Sequence, residues 1–180
     1  MSRTLSELEK TVGADPENPT LRHLLGAHYA QEGRYEEAER ELYRAISLDP
    51  QAHLARMQLG LLYLTKKDVH RAISTLAALE GLDDADPLKS FKRGLEALMS
   101  NDIPACRKWL EHGMARNESN PPLNHDMRLI LTRLATQEAS VQRKSPVPDR
   151  LEVERRGEMA PAREEPLKVR TDFSLYGTRH

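Results

Sequence analysis

The fold is decided by residues 25–50, which read LGAHYAQEGRYEEAERELYRAISLDP. The small, aromatic and leucine positions of this stretch recur further along the chain at a constant interval of 34 residues. The recurring sets are Gly26, Gly60 and Gly94; Ala38, Ala72 and Cys106; Leu42, Leu76 and Leu110; and Tyr29 and Tyr63. One interval shared by several kinds of residue is typical of a protein built from internal repeats.

Each interval contains two helical patterns joined by a short turn. The first helices are expected to begin near Pro19, Leu54 and Pro87 and to end at Gly33, Lys67 and Asn101; the second helices are expected over Glu36–Leu48, His70–Leu79 and Pro104–Met114. Glycine and asparagine suit the turn because they tolerate the left-handed backbone conformation. We expect the recurring glycines to let Ala38, Ala72 and Cys106 of the second helices approach closely, because a large side chain there would force the pair apart.

Residues 19–120 resemble three tandem tetratricopeptide repeats. The first repeat matches the family pattern at Leu25, Gly26, Tyr29, Gly33, Tyr35, Ala38, Leu42, Ala45 and Pro50. The third repeat departs furthest, since Ala97 replaces the tyrosine and Gly113 the alanine. The resemblance implies an all-α fold, a right-handed superhelix of antiparallel helix pairs.

The segments before and after the three repeats are also predicted to contain helices. Leu5, Leu8 and Val12 form a helical stripe before the repeats, and Met127, Ile130, Leu131 and Leu134 form one after them. Terminal repeats need such helices to cover their exposed core faces. The predicted divisions are 2–18 (half-repeat helix), 19–52, 53–86 and 87–120 (repeats 1 to 3), 121–142 (capping helix) and 143–180 (tail). The tail is predicted to be disordered because prolines and interleaved charges dominate it.

Composition excludes several classes of function. The 27 basic and 28 acidic residues nearly balance and the basic ones form no stripe, so no nucleic-acid partner is expected. The single cysteine and the dispersed histidines form no motif for a metal, a cofactor or catalysis, so we expect a protein that is not an enzyme. The longest helix-like apolar stretch, residues 59–64, is too short to insert into a membrane. Residues 1–7 contain no apolar signal core, which favours a cytoplasmic location.

The resemblance also implies that the first helices line a concave groove. The candidate groove residues are His23, Ala27, Ala30, Met57, Leu61, Leu64, Phe91, Lys92, Leu95 and Leu98. Their spacing of four and three residues puts each set on one helical stripe. Two interpretations stay open: an apolar groove for a partner, or internal packing between helices. Repeats that clamp chaperone carboxylates need several basic and amide residues, of which only Lys92 is matched by charge, so this subtype is not expected.

The function that follows from the resemblance is protein–protein interaction. The main hypothesis is an adaptor or chaperone that holds an apolar helix or extended segment of a partner in the groove. The alternative is a structural subunit or assembly factor of a larger complex, for example a secretion or pilus complex, that docks through repeat edges or the tail. Phe173, Leu175 and Tyr176 form an apolar cluster in the tail. They are candidates to bind the chain's own groove or a different protein.

Overall fold

The computed structural model describes residues 5–144, with side chains described for residues 5–140. Within these residues the elements are α1 (Leu5–Ala14), α2 (Pro19–Gln31), α3 (Tyr35–Leu48), α4 (His53–Thr65), α5 (Val69–Leu76), a 3₁₀ helix (Ala77–Gly81), α6 (Pro87–Met99), α7 (Ile103–Arg116) and α8 (Pro121–Lys144). The described part contains no strand, and the pairs α2–α3, α4–α5 and α6–α7 pack against each other. The all-α prediction is therefore confirmed, and the predicted tail lies outside the described residues.

The turn inside each helix pair has the same backbone conformation. Gly33, Lys67 and Asn101, spaced 34 residues apart, have φ angles of 75°, 61° and 60°. In each turn the next amide donates to the carbonyl five residues before it, for example from Asp68 to Tyr63 at 2.9 Å. This bond satisfies a carbonyl that the end of the helix leaves without a partner. The repeated turn directs each second helix back along its first helix.

The recurring glycines lie against leucines of the second helix. A Cβ atom on Gly60 would lie 2.5 Å from Cδ2 of Leu76, and Gly26 and Gly94 face Leu42 and Leu110 in the same way. Ala38, Ala72 and Cys106 are fully buried, as expected of packing residues. The nearest atoms to the glycines, however, belong to the leucines and not to these small residues.

The second helix of repeat 2 is shorter than the sequence predicts. Helix α5 ends at Leu76 and continues as the 3₁₀ helix, whereas the predicted helix runs to Leu79. Leu76 and Leu79 are both fully buried, so the contact with the core continues from α5 into the 3₁₀ helix.

The first helix of one repeat packs on the second helix of the preceding repeat through a tyrosine. Tyr29 donates a hydrogen bond of 2.8 Å to Glu9 of α1, and Tyr63 donates one of 3.2 Å to Glu39 of α3. An arginine lies over each ring: the guanidinium carbon of Arg71 is 4.5 Å from the ring centroid of Tyr63. Tyrosine, glutamate and arginine thus form one unit at each of these two interfaces.

Helices α1 and α8 cover the two ends of the repeats. Leu8 and Val12 of α1 are buried and the helix packs on α2. Leu123, Met127, Ile130 and Leu134 of α8 are buried and this helix packs on α7. None of the described helices has the length and apolar character that a membrane span requires.

Candidate protein-binding surfaces

Most of the predicted groove residues lie in the core. Met57, Leu61, Leu64, Phe91, Leu95 and Leu98 are each at most 3% exposed, and Ala30 is also buried. In repeat 3 the Phe91 ring lies against Gly113 of α7, so the second helix of the same pair covers this residue. These seven side chains are thus covered by other residues of the described part of the chain.

His23 and Ala27 of repeat 1 are only partly buried. Nε2 of His23 lies 2.9 Å from Oε1 of Gln58, which joins α2 to α4. Burial lowers the pKa of His23, and the hydrogen bond to Gln58 opposes that effect in part. His23 and Ala27 are the two predicted groove residues that still border open surface.

Lys92 is not free to bind a partner's carboxylate. Its side chain is only 7% exposed, and its Nζ lies 2.6 Å from Glu80 and 2.9 Å from Glu96. Burial by itself would lower the pKa of Lys92, but the hydrogen bonds to these two carboxylates outweigh burial and raise it. Lys92 therefore has a structural role, which is to hold the 3₁₀ helix against α6.

The ion pairs of Lys92 belong to a larger ion cluster between repeats 2 and 3. Arg93 lies 3.4 Å from Glu80 and 3.1 Å from Asp84, and Lys89 lies 3.0 Å from Asp84. Arg93 occupies the position that Leu25 and Leu59 occupy in repeats 1 and 2, where both leucines are buried. Charge pairing has thus replaced part of the apolar contact at this interface.

Trp109 is packed on one side by polar neighbours. The guanidinium carbon of Arg93 lies 5.1 Å from its ring centroid, and the His112 ring meets it edge to face at 5.7 Å. His112 is itself 3.0 Å from the hydroxyl of Ser90. The tryptophan is partly buried, so these contacts make it a packing residue that joins α6 to α7.

Five large apolar side chains of the described part are exposed. Leu24 (42%) and Leu54 (36%) lie on the first helices α2 and α4, whereas Tyr43 (65%), Val69 (39%) and Ile73 (46%) lie on the second helices α3 and α5. None of the five is among the binding residues predicted from the sequence. A signal exists in the repeat alignment: Leu24 corresponds to Gln58 and Lys92, and Ile73 corresponds to Glu39 and Arg107. An apolar residue at a position that is polar in the other repeats indicates a surface with a role other than maintaining the repeat fold.

Leu24 and Leu54 flank the bond between α2 and α4. Leu54 lies one turn before Gln58 on the same face of α4, and Leu24 directly follows His23 on α2. The surface formed by His23, Leu24, Ala27, Leu54 and Gln58 is named the inner surface below. It combines apolar side chains with one histidine–amide pair.

An open groove of about 590 Å³ lies between α7 and α8. Its lining includes Ile103, Arg107, Lys108 and Glu138, and Arg107 donates a 3.2 Å hydrogen bond to Glu138 across it. Charges of both signs alternate here, so the groove favours neither an anionic nor a cationic ligand.

Catalytic or metal chemistry has no support among the described residues. Burial raises the pKa of the Cys106 thiol to about 11, which makes it a poor nucleophile. In the described part of the chain, no three His, Cys, Asp or Glu side chains converge to form a metal site. The tail candidates Phe173, Leu175 and Tyr176 lie outside the residues that the structure describes.

Comparison with known proteins gives one family. The model of the tetratricopeptide repeat matches residues 29–89, which span most of repeat 1, all of repeat 2 and the start of repeat 3. The match ends four residues before Arg93, the first of the two departures at Arg93 and Ala97. No curated protein matches the chain.

Proposed function

Because this chain is a tetratricopeptide repeat protein, we propose that it is a cytoplasmic, non-enzymatic adaptor or chaperone that holds an apolar segment of a partner protein on its inner surface. Tetratricopeptide repeats generally mediate protein–protein interaction. The partner segment is an apolar helix or an extended stretch, and no nucleic acid takes part.

The observation that supports this proposal is the exposure of Leu24 and Leu54 on two neighbouring first helices. Fully burying a leucine contributes about 1.5–3 kcal/mol, so covering two half-exposed leucines would favour association. The hydrogen bond between His23 and Gln58 joins Nε2 of the histidine to Oε1 of the glutamine. A partner that covers the inner surface would therefore combine apolar side chains with a polar group for the Gln58 amide nitrogen and the second ring nitrogen of His23.

The inner surface lies on helices that are anchored in the core. Met57 and Leu61 are fully buried residues of α4, the helix that carries Leu54 and Gln58. A surface on rigid helices loses little conformational entropy when a partner binds. The role of these residues is to support the binding surface, in place of the direct contact expected from the sequence.

The test is quantitative capture from the source cell with the immobilised full chain. The double variant Leu24→Glu/Leu54→Glu should lose most of the partner signal, because a partner's apolar side chains would then meet two charges. Tyr43→Glu, on the outside of α3, is the matched control and should capture as much as the unchanged chain. Circular dichroism should be equal for all three proteins. Equal capture by both variants would overturn the proposal.

A second candidate function is a structural subunit that docks through its outer helices. The observation that favours it is the exposure of Tyr43, Val69 and Ile73 on α3 and α5. In the same capture experiment this function predicts the reverse result: Tyr43→Glu loses partners and the inner double variant retains them.

A further inference from the structure

The interface between repeats 2 and 3 lacks the unit that joins the earlier repeats. Between repeats 1 and 2 the unit consists of Tyr63, its acceptor Glu39, and Arg71 over the ring. The residues 34 positions further along are Ala97, Ile73 and Ala105. All three polar or aromatic members are therefore replaced together by apolar residues.

The replacement leaves an apolar surface without an aromatic cover. Ile73 is 46% exposed and Val69, one turn earlier on the same face of α5, is 39% exposed, whereas Tyr63 at the preceding interface is 6% exposed. Ala77, one turn after Ile73, is also exposed, and Ala97 is partly buried. We name Val69, Ile73, Ala77 and Ala97 the Ile73 surface. At the preceding interface Tyr63 reaches Glu39, the equivalent of Ile73, so an aromatic side chain is what the position next to Ala97 and Ile73 can accept.

Helix α8 is joined to the position that corresponds to Ile73 one repeat later. Arg107 is the equivalent of Ile73, and it donates a hydrogen bond to Glu138 near the end of α8. Packed helices lie about 8–10 Å apart, so equivalent positions of adjacent repeats are separated by roughly 10–20 Å. Glu138, six residues before Lys144, is therefore about one repeat away from Ile73.

The residues after Lys144 include the aromatic side chains that the Ile73 surface lacks. Phe173 and Tyr176 lie 29 and 32 residues after Lys144, with Leu175 between them. A segment of 29 residues can span about 30 Å, which is more than the roughly 10–20 Å between equivalent positions of adjacent repeats. Such a tether gives an effective concentration of up to about millimolar order, so even a weak contact would be populated.

We propose that residues 168–180 dock on the Ile73 surface of their own chain, with Phe173 or Tyr176 in the place that Tyr63 takes at the preceding interface. The docked segment covers Val69 and Ile73 and leaves the inner surface open. This proposal does not depend on the proposed function, since it concerns a different face of the repeats.

The test uses the isoleucine methyl signals of the full chain. The chain has four isoleucines, and Ile73 is the exposed one on α5, whereas Ile46 on α3 serves as the internal reference. Phe173→Ala/Tyr176→Ala should shift the Ile73 signal, because an aromatic ring in contact with a methyl group changes its resonance. The Ile46 signal should not move, and the control variant Leu167→Ala should shift neither signal.

A second variant locates the docking position. Ala97→Tyr restores the residue found at positions 29 and 63, and the new ring should cover Ile73 and displace the tail. In this background Phe173→Ala/Tyr176→Ala should no longer move the Ile73 signal. An Ile73 shift that persists in the Ala97→Tyr background would show that the tail does not dock beside residue 97.

Dilution separates the chain's own tail from that of a second copy. Docking within one chain predicts an Ile73 shift that is independent of protein concentration. A shift that disappears on dilution would assign the contact to a second copy and overturn docking in the same chain. An Ile73 signal that is identical with and without Phe173 and Tyr176 would overturn the proposal altogether.

Discussion

The ring of Phe91 lies directly against Gly113, so closely that a Cβ atom on residue 113 would be 2.5 Å from Cδ1 of the ring. Phe91 is fully buried. In repeats 1 and 2 the positions equivalent to Gly113 hold Ala45 and Leu79, opposite His23 and Met57. The largest side chain of the first-helix stripe is thus paired with the smallest residue of the second helix, which explains why the third repeat departs from the family's alanine.

Replacing Gly113 with alanine should therefore destabilise the protein. The added methyl group must displace a buried aromatic ring, and overpacking of this kind costs about 1–3 kcal/mol. Phe91→Leu in the Gly113→Ala background should restore part of the loss, because the smaller side chain leaves room for the methyl group. Urea unfolding of the two single variants and the double variant measures the coupling between the residues.

Gly13→Ala is the control for this experiment. Gly13 lies in α1, and a Cβ atom there would have no neighbour within 4 Å. Alanine is favoured over glycine in a helix by roughly 0.5–1 kcal/mol, so this variant should be as stable as the unchanged chain or more so. A Gly113→Ala protein with unchanged stability would contradict the tight packing of Phe91.

Cys106 should be almost unreactive while the protein is folded. The residue is fully buried and the pKa of its thiol is raised to about 11, so at pH 8 very little thiolate is present. A thiol reagent should modify the native chain at least about 100-fold more slowly than the urea-unfolded chain. Ser100→Cys in a Cys106→Ala background provides an exposed thiol and should react quickly in the folded state. Equally fast modification of native Cys106 would show that the α6–α7 pair opens readily.

His23 should contribute a loss of stability as the pH drops below about 6.5. Burial lowers the pKa of His23 in the folded chain, so the unfolded chain takes up the proton first. This stabilisation is complete above pH 6.5 and is lost as the pH falls through the lower, folded pKa. Urea unfolding should show that, between pH 7.5 and pH 5.5, the stability of His23→Gln falls less, or rises more, than that of the unchanged chain.

The exposed His70 provides the control for this pH effect, since His70→Gln should keep the full difference. Asp126 acts in the opposite direction over the same range: burial raises its pKa to about 6, so its contribution is lost as the pH rises. Because Asp126 is present in every variant, its contribution cancels when the variants are compared. A pH dependence that His23→Gln leaves unchanged would rule out His23 as its source.

Below about pH 4.5 a second loss of stability should come from the ion cluster. Hydrogen bonding to Lys92 lowers the pKa of Glu80, and hydrogen bonding to Lys89 lowers that of Asp84. Carboxylates with lowered pKa stabilise the folded state above their ordinary pKa, and this contribution is lost as the pH falls through the folded value. Glu80→Gln should lower the stability at pH 7 and reduce the further loss between pH 5 and pH 3.

Glu118→Gln at an exposed site is the matched control and should leave the acid transition in place. The Glu80 effect rests on Lys92, whose side chain is 7% exposed and would be left with a single carboxylate partner. Removing one partner of a buried charge is destabilising, because the remaining charge is poorly compensated. An acid transition that is identical in both variants would assign no role to Glu80.

The positions of the first helices were accessible to sequence reasoning, because they depend on local chemistry. Pro19 and Pro87 start helices, and Gly33 and Asn101 end them, for reasons contained in a few neighbouring residues. The end of α5 was predicted three residues too late. The change from α-helix to 3₁₀ helix at Ala77 accompanies the burial of Leu79, which depends on tertiary contacts.

Residue spacing alone was enough to identify the repeat and its period of 34 residues, and the family match over residues 29–89 agrees with it. Which stripe of each first helix is covered depends instead on how the helices pack. Leu61 and Leu24 look alike as apolar residues on first helices, yet Leu61 is 1% exposed and Leu24 is 42% exposed. The reason is physical: the burial of a side chain depends on the helix packed against it, and the direction of that helix is fixed by turns and contacts far away in the sequence.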